Sequence, residues 1–424
     1  MRRSWTSMLI LMLVGVAFAS TGFSPRSDEA AKTQEQVPAK GTDFKVIREI
    51  PVTGGSMVMP DMMVKGDGSL VVYIVQLAEG TLEYAAMANT ARLTNSLLES
   101  AKQLRAMNGD TRIPVEAEAY RLTMIQDLAV SPYAKGLFDG KGAVGVEGGW
   151  EWVAYSAMTA GAGAFVLVNE LKAPNYPPAM FVPGAFPSFW YGGPAGTKIA
   201  YWAQEGKNIK LMLAAERIAV LEEGTVPVAP AIFKRGPKSY ASESGMIYVA
   251  STANRRALFA DTAKVRGDCD AIEAALNPLV WKVGYIARNG GQSVLVVDGK
   301  EQATGFVPVH GLTFFAGGNA CAFAAGTGAR EFVVRNSLKA LSSFTRVTPD
   351  KDFGEVRSLA FNSLTTKVAY VAKDGTKEWV MIDDQKVTPE YTLVSFNREG
   401  FEWGGPLVFA GFDAANDVIV VGRL

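Results

Sequence analysis

Lys367 to Asp383, KVAYVAKDGTKEWVMID, decides the fold. Val368, Tyr370 and Ala372 alternate with Ala369, Val371 and Lys373, the period of a β-strand. Lys373-Asp374-Gly375-Thr376 is a turn, because Asp and Gly tolerate the positive φ that tight hairpins need. Trp379 to Ile382 form the return strand, and Asp383-Asp384 begins the next turn. The stretch is a β-hairpin, and its pattern recurs along the chain.

With the tyrosine as marker, related strands are EWVAYSA (Tyr155), KIAYWA (Tyr201), MIYVA (Tyr248), KVGYIA (Tyr285) and ACAFAA (Phe323). Counting 13 residues onward from the marker reaches Asp261, Asp298, Asn336 and Asp383, and 14 from Tyr155 reaches Asn169. The Tyr201 copy departs, with Ala214 at that place. An Asp or Asn after an apolar run suits a tight corner. Before each marked strand another run ends in a small or polar turn, as in FWYGGPAGT, LTFFAGGN and LAFNSLTT. Four strands in about 40 residues is the period of a propeller blade. Weaker copies, LVVYIVQ (Tyr73) and DVIVVG (417–422), flank the six. The spacing therefore predicts an all-β protein, a β-propeller of four-stranded blades over 44–424. Eight blades are expected, with seven as the alternative if the flanking copies share one blade. FKVIREIPV (44–52) is the expected donor that closes the ring, since an open ring leaves bare sheet edges.

FNSLTTKVAYVAKDGTKEWVMIDD (361–384) and WKVGYIARNGGQSVLVVDGK (281–300) resemble the bacterial WD-repeat-like, TolB-type β-propeller families. The resemblance is clear over about 140–424 and looser over 44–80. It implies a secreted or periplasmic propeller used for binding, and it carries over no catalytic residue.

Residues 1–19 read as a secretory signal. Arg2 and Arg3 precede the apolar run Met8–Phe18, and Ala17-Phe18-Ala19 fits a cleavage site. The run is short for a bilayer span, so no stable membrane span is expected after cleavage. Residues 20–43 are polar and aperiodic, a disordered leader. The expected location is periplasmic or secreted. The spacing doubles between Tyr73 and Tyr155. There EYAAMANTARLTNSLLESAKQLRAM (83–107), capped by Thr81 and ended by Asn108-Gly109, predicts a helical insertion at about 81–109 that packs on the rim.

The 424 residues carry 42 Lys plus Arg against 42 Asp plus Glu, a balance that gives no footing to a nucleic-acid partner. One histidine, His310, excludes a multi-His metal site. G-x-S-x-G is absent, and with it the hydrolase elbow. Met57, Met59, Met62 and Met63 are soft ligands in type, but Met57 and Met59 share a strand face and read as core filler. Asp67-Gly68, Asp139-Gly140 and Asp268-Cys269-Asp270 lack the full calcium-loop spacing and read as turns or loops. Cys269 and Cys321 fall two blades apart, too far for a disulfide; Cys321 is expected to be a buried hydrophobe and Cys269 a free or partly exposed thiol.

No catalytic, cofactor-binding or metal-binding residue is assigned, and no cofactor is implied. Phe189, Trp190 and Tyr191, in AFPSFWYGG, are the candidate ligand-binding residues, since aromatic faces stack on sugars or peptides. Three functions stay open: a non-enzymatic binding or scaffolding propeller for a protein or peptide partner, a carbohydrate-binding module, and a hydrolase or lyase with carboxylates in the central channel.

Overall fold

The marker residues are where the fold is anchored. Tyr73, Tyr155, Tyr201, Tyr248, Tyr285, Phe323 and Tyr370 are all buried, each on the second strand of its own antiparallel sheet. The computed structural model describes residues 44–53, 55–77, 84–93, 102, 106, 122–130, 152–159, 163–171, 178–191, 197–205, 207–213, 216–233, 246–253, 255–260, 263–276, 283–297, 299–315, 319–337, 344–402 and 404–424. The signal and leader expected over 1–43 lie outside them.

Among the described residues there are eight sheets. Blade 1 holds Ser56–Val64, Val71–Gln76, Tyr84–Ala88 and Ala91–Arg92. Blade 2 holds Leu122–Val130, Trp152–Thr159, Gly163–Glu170 and Pro178–Pro183. Blade 3 holds Ala185–Tyr191, Thr197–Glu205, Asn208–Leu213 and Glu216–Val220. In blade 4 the first strand is interrupted: Thr225–Pro227 and Ile232–Phe233 both pair with Met246–Thr252, which continues to Arg255–Ala260 and Ala263–Cys269. Blade 5 holds Ala271–Leu276, Val283–Asn289, Gln292–Val297 and Lys300–Ala303. Blade 6 holds Val309–Phe314, Ala320–Thr327, Arg330–Ser337 and Phe344–Arg346. Blade 7 holds Glu355–Phe361, Val368–Asp374, Lys377–Ile382 and Gln385–Lys386. Blade 8 holds Leu393–Phe396, Val408–Asp413 and Val418–Arg423, and its fourth strand is Lys45–Pro51 from the other end of the chain.

The core is a set of seams between blades. Each of eight apolar clusters joins two consecutive blades and no others, and the one through Tyr391, Phe396 and Phe409 joins blade 7 to blade 8. The seam through Ile50, Met62, Tyr73, Val408 and Ile419 joins blade 8 to blade 1, so the ring is sealed. First strands touch one another between blades 1 and 2, 2 and 3, 5 and 6, 6 and 7, and 8 and 1, which sets them nearest the axis. Tyr73 and Val418 belong to different sheets, which decides for eight blades over seven.

Two expectations are corrected. The C-terminal blade, expected to carry its marked strand at 417–422, has residues 393–396 as its first strand. The marked strand of that blade is Val408–Asp413, with Phe409 fully buried, and residues 418–423 are its third strand. Only one strand is therefore missing from the C-terminal blade, and Lys45–Pro51 supplies it. Second, the expected helix over 81–109 begins too early. Tyr84–Ala88 and Ala91–Arg92 are strands of blade 1, and the first is buried on both faces so that no alternation shows. Lys102 and Ala106 are helical; the rest of that insertion lies outside the described residues. A five-residue helix, Arg398–Glu402, sits in blade 8.

The spacing of 13 has a physical cause. The Tyr370 hydroxyl donates to the Asp383 carbonyl at 2.8 Å, and Asp383 Oδ1 accepts from the Val368 amide at 3.0 Å. Asp383 holds φ +51°, the left-handed region that Asp and Asn tolerate better than most residues. Blade 1 repeats the device with Tyr73 and Asn89, at 2.7 Å and 3.0 Å. The corner residue also reaches the preceding blade: Arg335 donates to Asp383, Asn336 to Gln302, and Asn169 to the Leu93 carbonyl.

Candidate functional site at the upper mouth of the channel

Each first strand starts at one face of the ring, where the links between blades and the turns joining second to third strands also lie. We call this the upper face. On it, the register puts Glu273, His310 and Arg357 at equivalent places in the first strands of blades 5, 6 and 7. Their cross-strand partners are Ile286, Ala324 and Val371, each one residue past the marker.

All three belong to ties between blades. Glu273 accepts from the Gly311 and Leu312 amides of blade 6, both at 3.0 Å. His310 Nε2 lies 2.9 Å from Glu331 Oε1, while Glu331 Oε2 accepts from the Val356 amide of blade 7 at 2.7 Å. Arg357 pairs with Glu378, and Glu378 Oε2 accepts from the Val394 amide of blade 8 at 2.9 Å. Glu331 and Glu378 each stand eight residues past their markers, at the start of the third strand. Each also exchanges backbone hydrogen bonds with the aromatic residue that leads into the next blade, Phe353 or Tyr391. The two junctions are thus built alike: a base on the first strand, an acid on the third, and an amide of the next blade.

Electrostatics follow from this packing. The hydrogen bond to Glu331 raises the His310 pKa above its ordinary value against the opposing effect of burial, and the charges of Glu331, Glu273 and Glu355 add to the rise. Burial pushes the Glu331 carboxyl up, but the hydrogen bonds from His310 and Val356 outweigh it and hold the carboxyl below its ordinary value. Glu331 is therefore ionised near neutrality and poorly suited to act as a general acid. Among the described residues no hydroxyl or thiol hydrogen-bonds to His310, so the imidazole has no nucleophile to activate.

Beside the blade 6–blade 7 junction lies an open cleft of about 550 Å3. Three cations, Arg330, Arg346 and Lys351, and three anions, Asp350, Asp352 and Asp374, line it with Pro349. Arg346 pairs with Asp352 and stacks 3.8 Å from the centre of the Phe332 ring. Arg330 reaches Asp374 at 3.2 Å, and Lys351 lies over Phe353 and Trp379. Blade 4 is tied to blade 5 in the same style, by Arg255 to Asp270 and by Asp270 Oδ2 to the Gly290 amide at 2.6 Å.

The residues singled out from sequence fall elsewhere. Phe189, Trp190 and Tyr191 end the first strand of blade 3, opposite Ile199, Lys198 and Thr197; their side chains lie outside those described. Met62 is core between blades 8 and 1 and Met63 packs against the next seam, while the side chains of Met57 and Met59, read as core filler, lie outside those described. Asp67 closes a turn by accepting from the Ser69 amide and hydroxyl, with Gly68 at φ +74°. Asp268 is a corner at φ +58°, and Asp139-Gly140 lies outside the described residues. Cys269, on blade 4, and Cys321, on blade 6, are both free, with blade 5 between them. Burial pushes the Cys321 thiol up to about 12. Cys269 is buried rather than partly exposed, because the fourth strand of blade 4 turns it into the seam with blade 5. Among the described residues no group of three or more His, Cys, Asp or Glu is placed to hold a metal ion, and no helix is long and apolar enough to cross a membrane. The residues missed from sequence are Glu273, Glu331, Arg357 and Glu378. Their one signal was the shared offset of Glu331 and Glu378 from the markers.

No family model matches the chain, and no curated protein matches it in sequence. Solved structures do match in shape, and they are β-propellers. A structure of the Dos1 propeller is 10% identical, with a TM-score of 0.50, covering 90% of this chain and 95% of that one. TolB from Acinetobacter baumannii is 13% identical, with a TM-score of 0.35, covering 86% and 78%. An oligogalacturonate lyase from Vibrio parahaemolyticus is 8% identical, with a TM-score of 0.44, covering 90% and 98%. At such identities the likeness is one of fold alone.

Proposed function

We propose that this chain is an exported, non-enzymatic binding propeller that engages a protein or peptide partner on its upper face, at the junction of blades 6 and 7. The observation that carries this reading is the open, charged cleft between Arg330, Lys351 and Asp374. Small-molecule sites are concave and mostly apolar. A broad face of interspersed charge is instead suited to steering and registering a macromolecular partner. On the upper face Glu273, Glu331 and Glu378 are each spent on amides of the next blade, and the last two also on a base of their own blade, which weakens the hydrolase or lyase alternative. The TolB-type pattern in 281–300 and 361–384 and the signal-like residues 1–19 support export to the periplasm or beyond.

The test is capture from the native envelope with the tagged mature protein, beside a variant carrying Arg330→Glu and Lys351→Glu. A partner that binds the first and is lost from the second supports the reading. A partner that both retain places binding elsewhere on the ring and overturns it. Binding on a glycan array that Trp190→Ala abolishes replaces it with the carbohydrate reading.

A further inference from the structure

We propose that His310 and Glu331 form a pH-sensitive latch across the junction of blades 6 and 7. When the imidazole is protonated, the pair holds the first strand of blade 7 against blade 6. When the imidazole loses its proton, that strand is held less firmly.

The argument starts from the likeness of two junctions. At both, an acid at the start of a third strand spans a base of its own blade and an amide of the next. At the blade 7–blade 8 junction the base is Arg357, which stays charged at any pH a protein meets. It also donates to the Val394 carbonyl at 2.9 Å, gripping the next blade directly. At the blade 6–blade 7 junction the equivalent place holds histidine, the side chain whose charge changes near neutrality. Glu331 uses one oxygen for His310 and the other for Val356, so the charge of the imidazole bears on the amide contact through a single carboxylate.

The groups facing the imidazole all favour its cation. Glu331 contacts it from the third strand of blade 6, Glu273 adds its charge from blade 5, and Glu355 adds its charge from blade 7. Lys373 is held on Glu355 at 3.2 Å, and Arg330 is turned toward Asp352 and Asp374. His310 is about one-third exposed, so its proton exchanges with solvent, whereas Glu331 is nearly buried. A histidine whose folded pKa lies above its unfolded value stabilises the fold fully at low pH, and that stabilisation is lost as pH rises through the folded pKa. Glu331 has the opposite sign: its contribution is present above its unfolded pKa and lost as pH falls through the lower folded one. The latch is tightest between those two limits. It operates whether or not the neighbouring cleft takes a partner.

His310 is the only histidine, so its imidazole resonances need no assignment by mutation. The experiment is an NMR titration of the full chain, with hydrogen exchange followed at the same pH values. We expect an imidazole midpoint above about 6.5. Protection of the Val356 and Phe353 amides, corrected for intrinsic exchange, should fall by about tenfold as pH rises through that midpoint, the difference between a charged and a neutral hydrogen bond. The Val394 and Tyr391 amides at the arginine junction are the internal reference and should not follow. His310→Arg should remove the pH step, and His310→Gln should give the weakly protected state at every pH. The proposal is overturned if Val356 and Val394 lose protection together, if the midpoint lies at or below about 6.5, or if His310→Gln keeps the step.

Discussion

The two faces of the ring are tied by different chemistry. On the upper face, blades 5 to 8 are joined by carboxylates: Glu273, Glu331 and Glu378 each accept from backbone amides of the next blade. On the lower face, the corner residues Asn169, Asn336 and Asp383 reach the preceding blade, and a tyrosine hydroxyl closes the corner in blades 1 and 7. Two of those three corners are amides rather than acids. Sensitivity to pH and to charge reversal should therefore concentrate on the upper face, and the lower face should answer mainly to lost hydrogen bonds.

Glu378→Ala is the largest expected break. Its side chain is fully buried, and removal leaves the Val394 amide unpaired and takes from Arg357 its counter-charge, leaving it the Val394 carbonyl. Stability should fall by about 4 kcal/mol, the cost of breaking a buried pair from one side. Urea unfolding measures it, and a loss below about 1 kcal/mol would mean that the upper tie is replaceable by solvent. Asp383→Ala comes next, at about 2 kcal/mol, because it removes the cap on Val368 and puts alanine at positive φ. Asp383→Asn should recover most of that loss if the corner works by geometry rather than charge. Tyr370→Phe should cost about 1 kcal/mol, one hydrogen bond to the Asp383 carbonyl. Its effect should be the same in low and high salt, in contrast to any substitution at Glu331. Lys207→Ala is the baseline: its pair with Glu223 at 2.8 Å lies in open solvent, and the unfolding midpoint should not move.

The lower face was legible in the sequence because its device is local. Tyr370 and Asp383 belong to one blade, so their spacing repeats and can be counted. The upper face was not, because Glu378 finds its partners on a first strand and on the next blade, and in sequence it is one more charge after a turn. Blade 8 was misphased for a related reason. Its marked strand carries Phe409 in place of tyrosine, and the apolar run of Val418–Arg423 imitates the marker strand. The start of the expected helix misled because YAAMA is made of residues that favour helices, while burial on both faces erases the alternation of a strand. The candidate aromatics Phe189 to Tyr191 were placed correctly on a first strand, although nothing local distinguishes a binding platform from packing.

Sealing the ring with Lys45–Pro51 has a kinetic consequence. Seven sheets are assembled from neighbours in sequence, but the pairing of Lys45 with Arg423 joins the two ends of the described chain. Closing so long a loop is the slowest contact to make, since its entropy must be met before the contact stabilises anything. Until then Ile50 lacks its place between Ile419 and Met62, and two blade flanks stand open side by side. A partly folded chain is thus a split washer whose bare edges fit those of another copy, and domain-swapped rings are the assembly error this architecture invites.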